Sequence, residues 1–192
     1  RINTSATVTH PAAAGERLSH VTENYLLSLY VLREEGERLT MGHLASYLKR
    51  LPVGENVGTS LPSVAGMVRR MEKEKLLTLT PHKEIRLTEK GEIWAEDMVR
   101  RHRLAARMVV DLLGVELYDA YIESHRLEHA ISPELQVKIL KKLGNPTTSP
   151  FGHIIPGMST PSCKKDAKRL DRASPGKTYI VDRIPEEDQE LV

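Results

Sequence analysis

The sequence predicts a mainly α protein, with two helical parts in series and the start of a small β-containing domain after them. Three observations carry this expectation. Apolar residues recur at helical spacing through most of 21–143, in stretches that open at Ser or Thr. The period changes to that of strands once in this span, at 76–87. Beyond 144 the composition turns to Pro, Gly, Ser and Thr before a β-prone run, Thr178–Ile184.

The elements follow in order. Val21–Glu35 places Val21, Tyr25, Leu26, Leu29, Tyr30 and Leu32 at helical spacing, with Ser19 or Thr22 as cap and Gly36 as stop. Thr40 caps a second helix, Met41–Leu51. Pro52–Thr59 (PVGENVGT) is a loop. Ser60 caps a third helix that runs to Lys75, with Pro62 in the first turn, where a missing N–H costs little. Leu76–Thr80 and Ile85–Leu87 read as a hairpin across Pro81–Glu84. Thr88 caps a long helix, Glu89–Leu113, broken at Gly114. Val115–Ala130 and Pro133–Leu143 are two more helices.

These readings divide the chain into a flexible tail (1–20), a first helical part that ends in the hairpin (21–88), a second helical part (89–144), a linker (145–175) and an incomplete domain (176–192). The acidic end, Pro185–Val192, reads as the start of a helix.

Bulk properties bound the function. The 192 residues are 40% apolar and 28% charged, an ordinary globular balance, and the net charge of +2 implies no partner by itself. The single cysteine, Cys163, allows no disulfide and no thiolate cluster within one chain, which fits a reducing, cytoplasmic setting. No apolar run approaches the ~18 residues of a membrane span. The first residues lack the apolar core of a signal peptide.

Three helices followed by a hairpin is the order of a winged helix-turn-helix, whose third helix enters the major groove. Ser60, Pro62, Ser63 and Gly66 then lie toward its leading side, and Arg69, Arg70, Lys73 and Lys83 are placed to meet phosphates. From Lys49 to Arg86 there are eight Lys or Arg against four Asp or Glu. A generic bundle with a solvated basic face is the bland alternative, and the hairpin after the third helix argues against it.

The second chemical feature is HRLEH, His125–His129. On a helix at about 100° per residue, Glu128 at roughly 0°, His125 near 60° and His129 near 100° share one arc. Two imidazoles and a carboxylate suit manganese, iron, cobalt, nickel or zinc. Three ligands on one helix leave a site open, so other segments must complete it. The bland reading makes the histidines interface residues and pairs Glu128 with Arg126 or Arg103. The zinc-protease order HExxH differs, because there the glutamate follows the first histidine.

Several separated stretches, VTENYLLSLYVL, LPSVAGMVRRMEKEKLL, IRLTEKGEIWAEDMVRRHRLAARMV, HRLEHAISPELQVKILKKLG and SPFGHIIPG, together resemble the diphtheria-toxin-repressor family of iron- and manganese-dependent regulators. The resemblance covers Val21 to Gly157 and extends more weakly over Gly176–Gln189, which is similar to the start of that family's SH3-like domain. It implies a non-enzymatic, metal-dependent transcriptional regulator, in the main a repressor, binding Mn²⁺ or Fe²⁺. It also implies a homodimer on palindromic operator DNA, with no membrane partner.

Carried over, the resemblance implies a primary metal site of Asn24, His125, Glu128 and His129, and an ancillary site of His102, Glu186 and Gln189. Asn24 stands where the family has Met or Asp, and His125 where it has Cys or Glu. Ala106 and Tyr121 replace two expected ancillary ligands, with Glu123 or His20 as candidate substitutes. Gly66 replaces a recognition-helix glutamine, and Pro52–Thr59 lengthens the usual turn. The runner-up function is a DNA-binding regulator with a purely structural metal; a metal-dependent hydrolase is the more distant one.

Overall fold

Hydroxyl side chains decide where most of the helices begin. The computed structural model describes residues 17–51, 57–158 and 167–186. Most of the expected tail, residues 52–56 of the loop, Cys163 and Gln189 lie outside them. Ser19 accepts from Thr22 N at 3.2 Å and opens α1 (His20–Glu34). Thr40 opens α2 (Met41–Leu48), Ser60 opens α3 (Leu61–Lys73), Thr88 opens α4 (Glu89–Asp111) and Ser132 opens α6 (Pro133–Lys142) in the same way. Each side chain satisfies an amide that the first turn leaves without a partner. Only α5 (Leu117–Leu127) begins without a side-chain cap. The helices end one to three residues earlier than their apolar periodicity predicts, as frayed last turns do.

The hairpin pairs β1 (Leu77–Leu79) with β2 (Ile85–Leu87), Leu77 opposite Leu87 and Leu79 opposite Ile85. Lys83 takes φ 60° in its turn. Ile85 N donates to Leu39 O at 2.7 Å, which ties the wing to the entry of α2. Thr88 both caps α4 and donates to Lys75 O at 2.6 Å, so the long helix starts hard against the end of α3. A Cβ on Gly91 would stand 1.8 Å from the Leu76 carbonyl oxygen, so only glycine permits that approach.

The 23 residues of α4 make a rod of about 35 Å that serves both helical parts. Its first half packs Trp94, Ala95, Met98 and Val99 into the core formed by α1, α2, α3 and the hairpin. Its second half divides between two smaller clusters. Leu104 and Ala105 meet Ile131, Ile139, Leu140 and Ile155; Ala106 and Val109 meet Ala120, Tyr121 and Phe151.

Two expectations need correction. The start of the expected linker, 145–158, is packed: Phe151, His153 and Ile155 are buried, and Thr148 bridges to Ile154. Its Pro and Gly content builds a tight folded segment rather than a free connector. Thr178–Ile184 forms no strand, and Ile180 and Val181 are 85% and 77% exposed. Among the described residues no neighbouring strand is available to receive its backbone hydrogen bonds. No helix among them is long and apolar enough to cross a membrane.

Between the cores, α4 buries Asp97, Arg100, Arg101, His102 and Arg103. Arg100 Nε donates to Pro156 O at 2.8 Å. Arg101 reaches Glu23 Oε1 of α1 at 2.6 Å, Asp97 Oδ2 at 3.1 Å and Glu128 O at 3.3 Å. Arg103, fully buried, donates to Glu186 Oε1 at 3.0 Å, to Glu34 Oε1 of α1 at 3.2 Å and to Ile154 O. His153 joins this group, with Nδ1 3.1 Å from Glu34 Oε2 and Nε2 2.7 Å from Ile184 O.

Burial raises the Glu34 carboxyl, but the His153 hydrogen bond and Arg103 outweigh it and hold the group at about 2. Burial likewise raises Glu186, and the Arg103 charge brings it below its ordinary 4.5. Burial lowers His153, and the Glu34 hydrogen bond carries it above 6.5. The two depressed carboxylates add stability above 4.5, lost as pH falls through their folded values. The raised histidine adds stability below 6.5, lost as pH rises through its folded value.

Urea unfolding across pH will therefore show this network strongest between 4.5 and 6.5, with Glu34→Gln flattening the acid limb. Arg103→Met leaves the buried Glu186 without its guanidinium and Glu34 with His153 alone, and will cost about 3–5 kcal/mol by the same measurement. Gly91→Ala will cost about 3 kcal/mol, because the clash is with backbone that cannot yield cheaply.

Candidate metal centre and nucleic-acid interface

The metal motif does not lie on one α-helix. Helix α5 ends at Leu127, and Glu128–Ala130 forms a single 3-10 turn closed by Ile131 N to Glu128 O at 3.3 Å. The tighter winding, about 3.0 residues per turn, changes the direction of each side chain after Leu127. The regular arc of His125, Glu128 and His129 is therefore distorted, yet Glu128 Oε1 still lies 2.8 Å from His125 Nδ1 and 3.6 Å from His129 Nε2.

Glu128 turns inward to α4. Its Oε2 lies 2.5 Å from His102 Nδ1, and its Oε1 lies 2.8 Å from His125 Nδ1. One ligand-capable atom from each of the three lies within 4.8 Å of the others. All are buried, with side chains 1%, 5% and 0% exposed for His102, His125 and Glu128. Tyr121 stacks on His125 at 5.4 Å and meets His102 edge-on at 5.1 Å, walling the group. Arg126 pairs instead with exposed Glu123, and Arg103 with Glu34 and Glu186. The guanidinium partners that the bland reading gave Glu128 are engaged elsewhere.

Burial raises the Glu128 carboxyl, yet the charges of His125 and His102 hold it at about 2. A fully buried carboxylate thus rests on two imidazoles. Asn24 Oδ1 and His102 Nε2 are also buried without a hydrogen bond. A buried His–His–carboxylate group, with the His102 Nε2 of that group left without a hydrogen bond, fits a borderline divalent metal, whose N and O ligand types these are.

His129 stands between Glu128 and α1. Its Nε2 lies 3.6 Å from Glu128 Oε1. Its Nδ1 lies 2.6 Å from Glu23 Oε2, and its ring stacks on exposed His20 at 4.3 Å and 6° between planes. The sequence grouped Asn24, His125, Glu128 and His129, and set His102 apart with Glu186 and Gln189. The structure gathers His102 with His125 and Glu128, sets His129 between Glu128 Oε1, 3.6 Å from its Nε2, and Glu23 Oε2, 2.6 Å from its Nδ1, and places Glu186 on Arg103. Sequence reasoning passed over Glu23, although it sits beside Asn24 and three residues from His20 on one helix.

On the DNA-reading side, α3 buries Val64, Val68 and Met71. The opposite face exposes Ser60, Pro62, Ser63, Gly66, Arg69, Arg70 and Lys73, and the hairpin turn exposes Lys83. Nothing lies within 4 Å of a Cβ placed on Gly66, so the centre of this face is bare backbone. Ser60 and Ser63 are engaged in the cap, with their hydroxyls 2.9 Å apart, and Arg70 pairs with Glu74 at 2.9 Å. Arg69, Lys73 and Lys83 thus sit at the rim of an open helix face of the width a major groove accepts.

Residues 88–157 match the iron-dependent repressor metal-binding and dimerisation domain. The iron-dependent repressor IdeR of Mycobacterium tuberculosis is 38% identical over 141 residues, 73% of this chain and 57% of its own length. The chain thus spans a little over half of that relative. A solved manganese-dependent transcriptional repressor in complex with manganese superposes with a TM-score of 0.73 at 29% identity, over 88% of this chain and 74% of that one. The diphtheria toxin repressor of Corynebacterium diphtheriae is 32% identical over 165 residues, 86% of this chain. That alignment takes in 67% of the corynebacterial protein, and the chain accordingly belongs to the diphtheria-toxin-repressor family.

Proposed function

We propose that the chain is a metal-dependent DNA-binding transcriptional regulator, a repressor that responds to Mn²⁺ or Fe²⁺ and acts as a homodimer on a palindromic operator. The observation that carries the reading is Glu128, a carboxylate wholly buried between His102 and His125 with its guanidinium neighbours committed elsewhere. Such a group gains most from a divalent cation, which neutralises it and links the two histidines. His102, His125 and Glu128 are the proposed ligands, and Asn24 of α1 brings the orphaned Oδ1. His129, named with them on sequence grounds, has Nδ1 on Glu23. Nitrogen and oxygen donors without sulfur suit manganese and iron, the metals in the relatives' names. Their burial speaks against a hydrolase, which needs an open coordination position for substrate.

The residues act as a clasp. Asn24 belongs to the helix that opens the DNA-reading part, whereas His125 and Glu128 belong to the dimerisation part. Fixing one against the other sets the separation of two α3 helices in a dimer, which must match major grooves about 34 Å apart. A cation that binds the DNA-competent arrangement more tightly shifts the population toward it. Operator DNA then tightens metal binding by the same factor.

The test uses a palindromic duplex selected by the Mn²⁺-loaded protein from a random pool. DNA affinity will fall on chelation and return with Mn²⁺ or Fe²⁺, and His102→Ala and Glu128→Ala will lose this response while keeping the helical circular dichroism of the parent. Affinity indifferent to chelator rejects the switch and leaves a purely structural metal or none. Lys83→Ala will weaken binding evenly across sequences and lower the salt slope by about 1.

A further inference from the structure

The outward face of α3 is short of side chains able to read a base. At about 100° per residue, Pro62, Gly66, Arg69 and Lys73 fall within an arc of about 60°, opposite the buried Val64, Val68 and Met71. The first two carry no polar side chain. Beside them, the Ser60 and Ser63 hydroxyls lie 2.9 Å apart, and Ser60 accepts from Ser63 N, so both serve the cap. Arg70 Nε donates to Glu74 Oε1 at 2.9 Å, one turn toward the C-terminal end. Lys73 is the last residue of the helix, and its ammonium is a point charge without a fork. Arg69 remains: it is exposed and carries a planar set of donors.

Residue 66 is a glycine that the fold does not require. It lies in the middle of a 13-residue helix, where glycine is unfavourable. It does not take a left-handed φ, and a Cβ there would meet nothing within 4 Å. Gly91 differs, because the Leu76 carbonyl leaves it no room for a side chain. An exposed glycine of this kind lets another molecule come close to the backbone. Long side chains on a helix lean back toward its N-terminus, so that of Arg69 covers the turn that holds Gly66. With no side chain at 66, its path to the centre of the face is open.

We propose that Arg69 is the specificity-determining side chain of α3, its guanidinium crossing bare Gly66 to donate to O6 and N7 of a guanine in the major groove. This assignment rests on the DNA-binding reading above. Two parallel hydrogen bonds from one arginine distinguish G·C from the other base pairs. Arg69 thus moves from the phosphate contacts to the base contacts. Lys73 and Lys83 keep the phosphates, which position the helix but carry no sequence. In a homodimer each copy brings one Arg69, so each half of a palindromic operator holds one such guanine.

Enrichment of a random duplex pool on the Mn²⁺-loaded chain, followed by replacement of each guanine of the selected duplex with 7-deazaguanine, tests the proposal. That base lacks the N7 acceptor and keeps its Watson–Crick pairing. Replacement of one guanine per half-site is expected to weaken binding on the order of tenfold. Arg69→Ala is expected to lose the preference for that guanine and to bind natural and 7-deaza duplexes alike, with the salt slope of the parent. Gly66→Leu adds a helix-favouring side chain where the free protein has room, so its circular dichroism will match the parent. It is expected to lose the same guanine preference, because the new side chain fills the path of Arg69. Retention of the preference in either variant overturns the assignment and leaves the proposed function standing. So does an Arg69→Ala that weakens all sequences evenly and lowers the salt slope by about 1, the mark of a phosphate contact. A parent that enriches no sequence overturns the proposed function, and the role of Arg69 with it.

Discussion

Four consecutive buried residues on α4, Arg100, Arg101, His102 and Arg103, hold the molecule together. A helix that buries four successive positions is enclosed on every side, and every charge in it must find a partner. Arg100 takes the Pro156 carbonyl, Arg101 takes Glu23 and the Glu128 carbonyl, His102 takes Glu128, and Arg103 takes Glu34 and Glu186. These partners lie on four other segments. The run therefore fixes α1 at both ends, the turn after α5, the segment at 156 and the chain near 186. Replacing any one leaves an uncompensated charge in low dielectric, which is why so much of the architecture depends on so short a stretch.

The same layer frames the group proposed to hold a cation. Glu23, Glu34, Asp97 and Glu186 set four carboxylates against the guanidiniums of Arg100, Arg101 and Arg103. Among the described residues the Glu128 side chain instead meets the imidazoles of His102, His125 and His129. Histidine can balance a carboxylate as a protonated ring or, when neutral, can share a metal with it. An arginine in place of His102 would settle the charge permanently. The histidine leaves the balance to be completed from outside, and a responsive site needs that property.

Much of the fold was legible without coordinates. Thr40, Ser60 and Thr88 cap the helices they were expected to cap, and of the two candidates for α1 it is Ser19 that does so, since capping depends on near neighbours in sequence. The hairpin was equally plain from its change of period. The packing of 145–158 was not, because Pro and Gly mark tight folded segments and free connectors alike. Nor was the failure of Thr178–Ile184 to form a strand, because strand pairing depends on a neighbour and not on the segment itself.

The chemistry divides along the same line. Sequence alone determined which residues have metal-binding chemistry, that His125 and Glu128 stand one helical turn apart, and which side of α3 carries its apolar residues. Those follow from residue type, helical period and local charge. Tertiary structure alone decided the company each ligand keeps. The turn to 3-10 geometry at Glu128 brings His129 Nδ1 to Glu23 while its Nε2 stays 3.6 Å from Glu128, and the enclosure of α4 brings His102 into the buried group. A ligand set is a property of convergence in space, and a change of winding over three residues redirects a side chain without leaving a mark in the spacing of the letters.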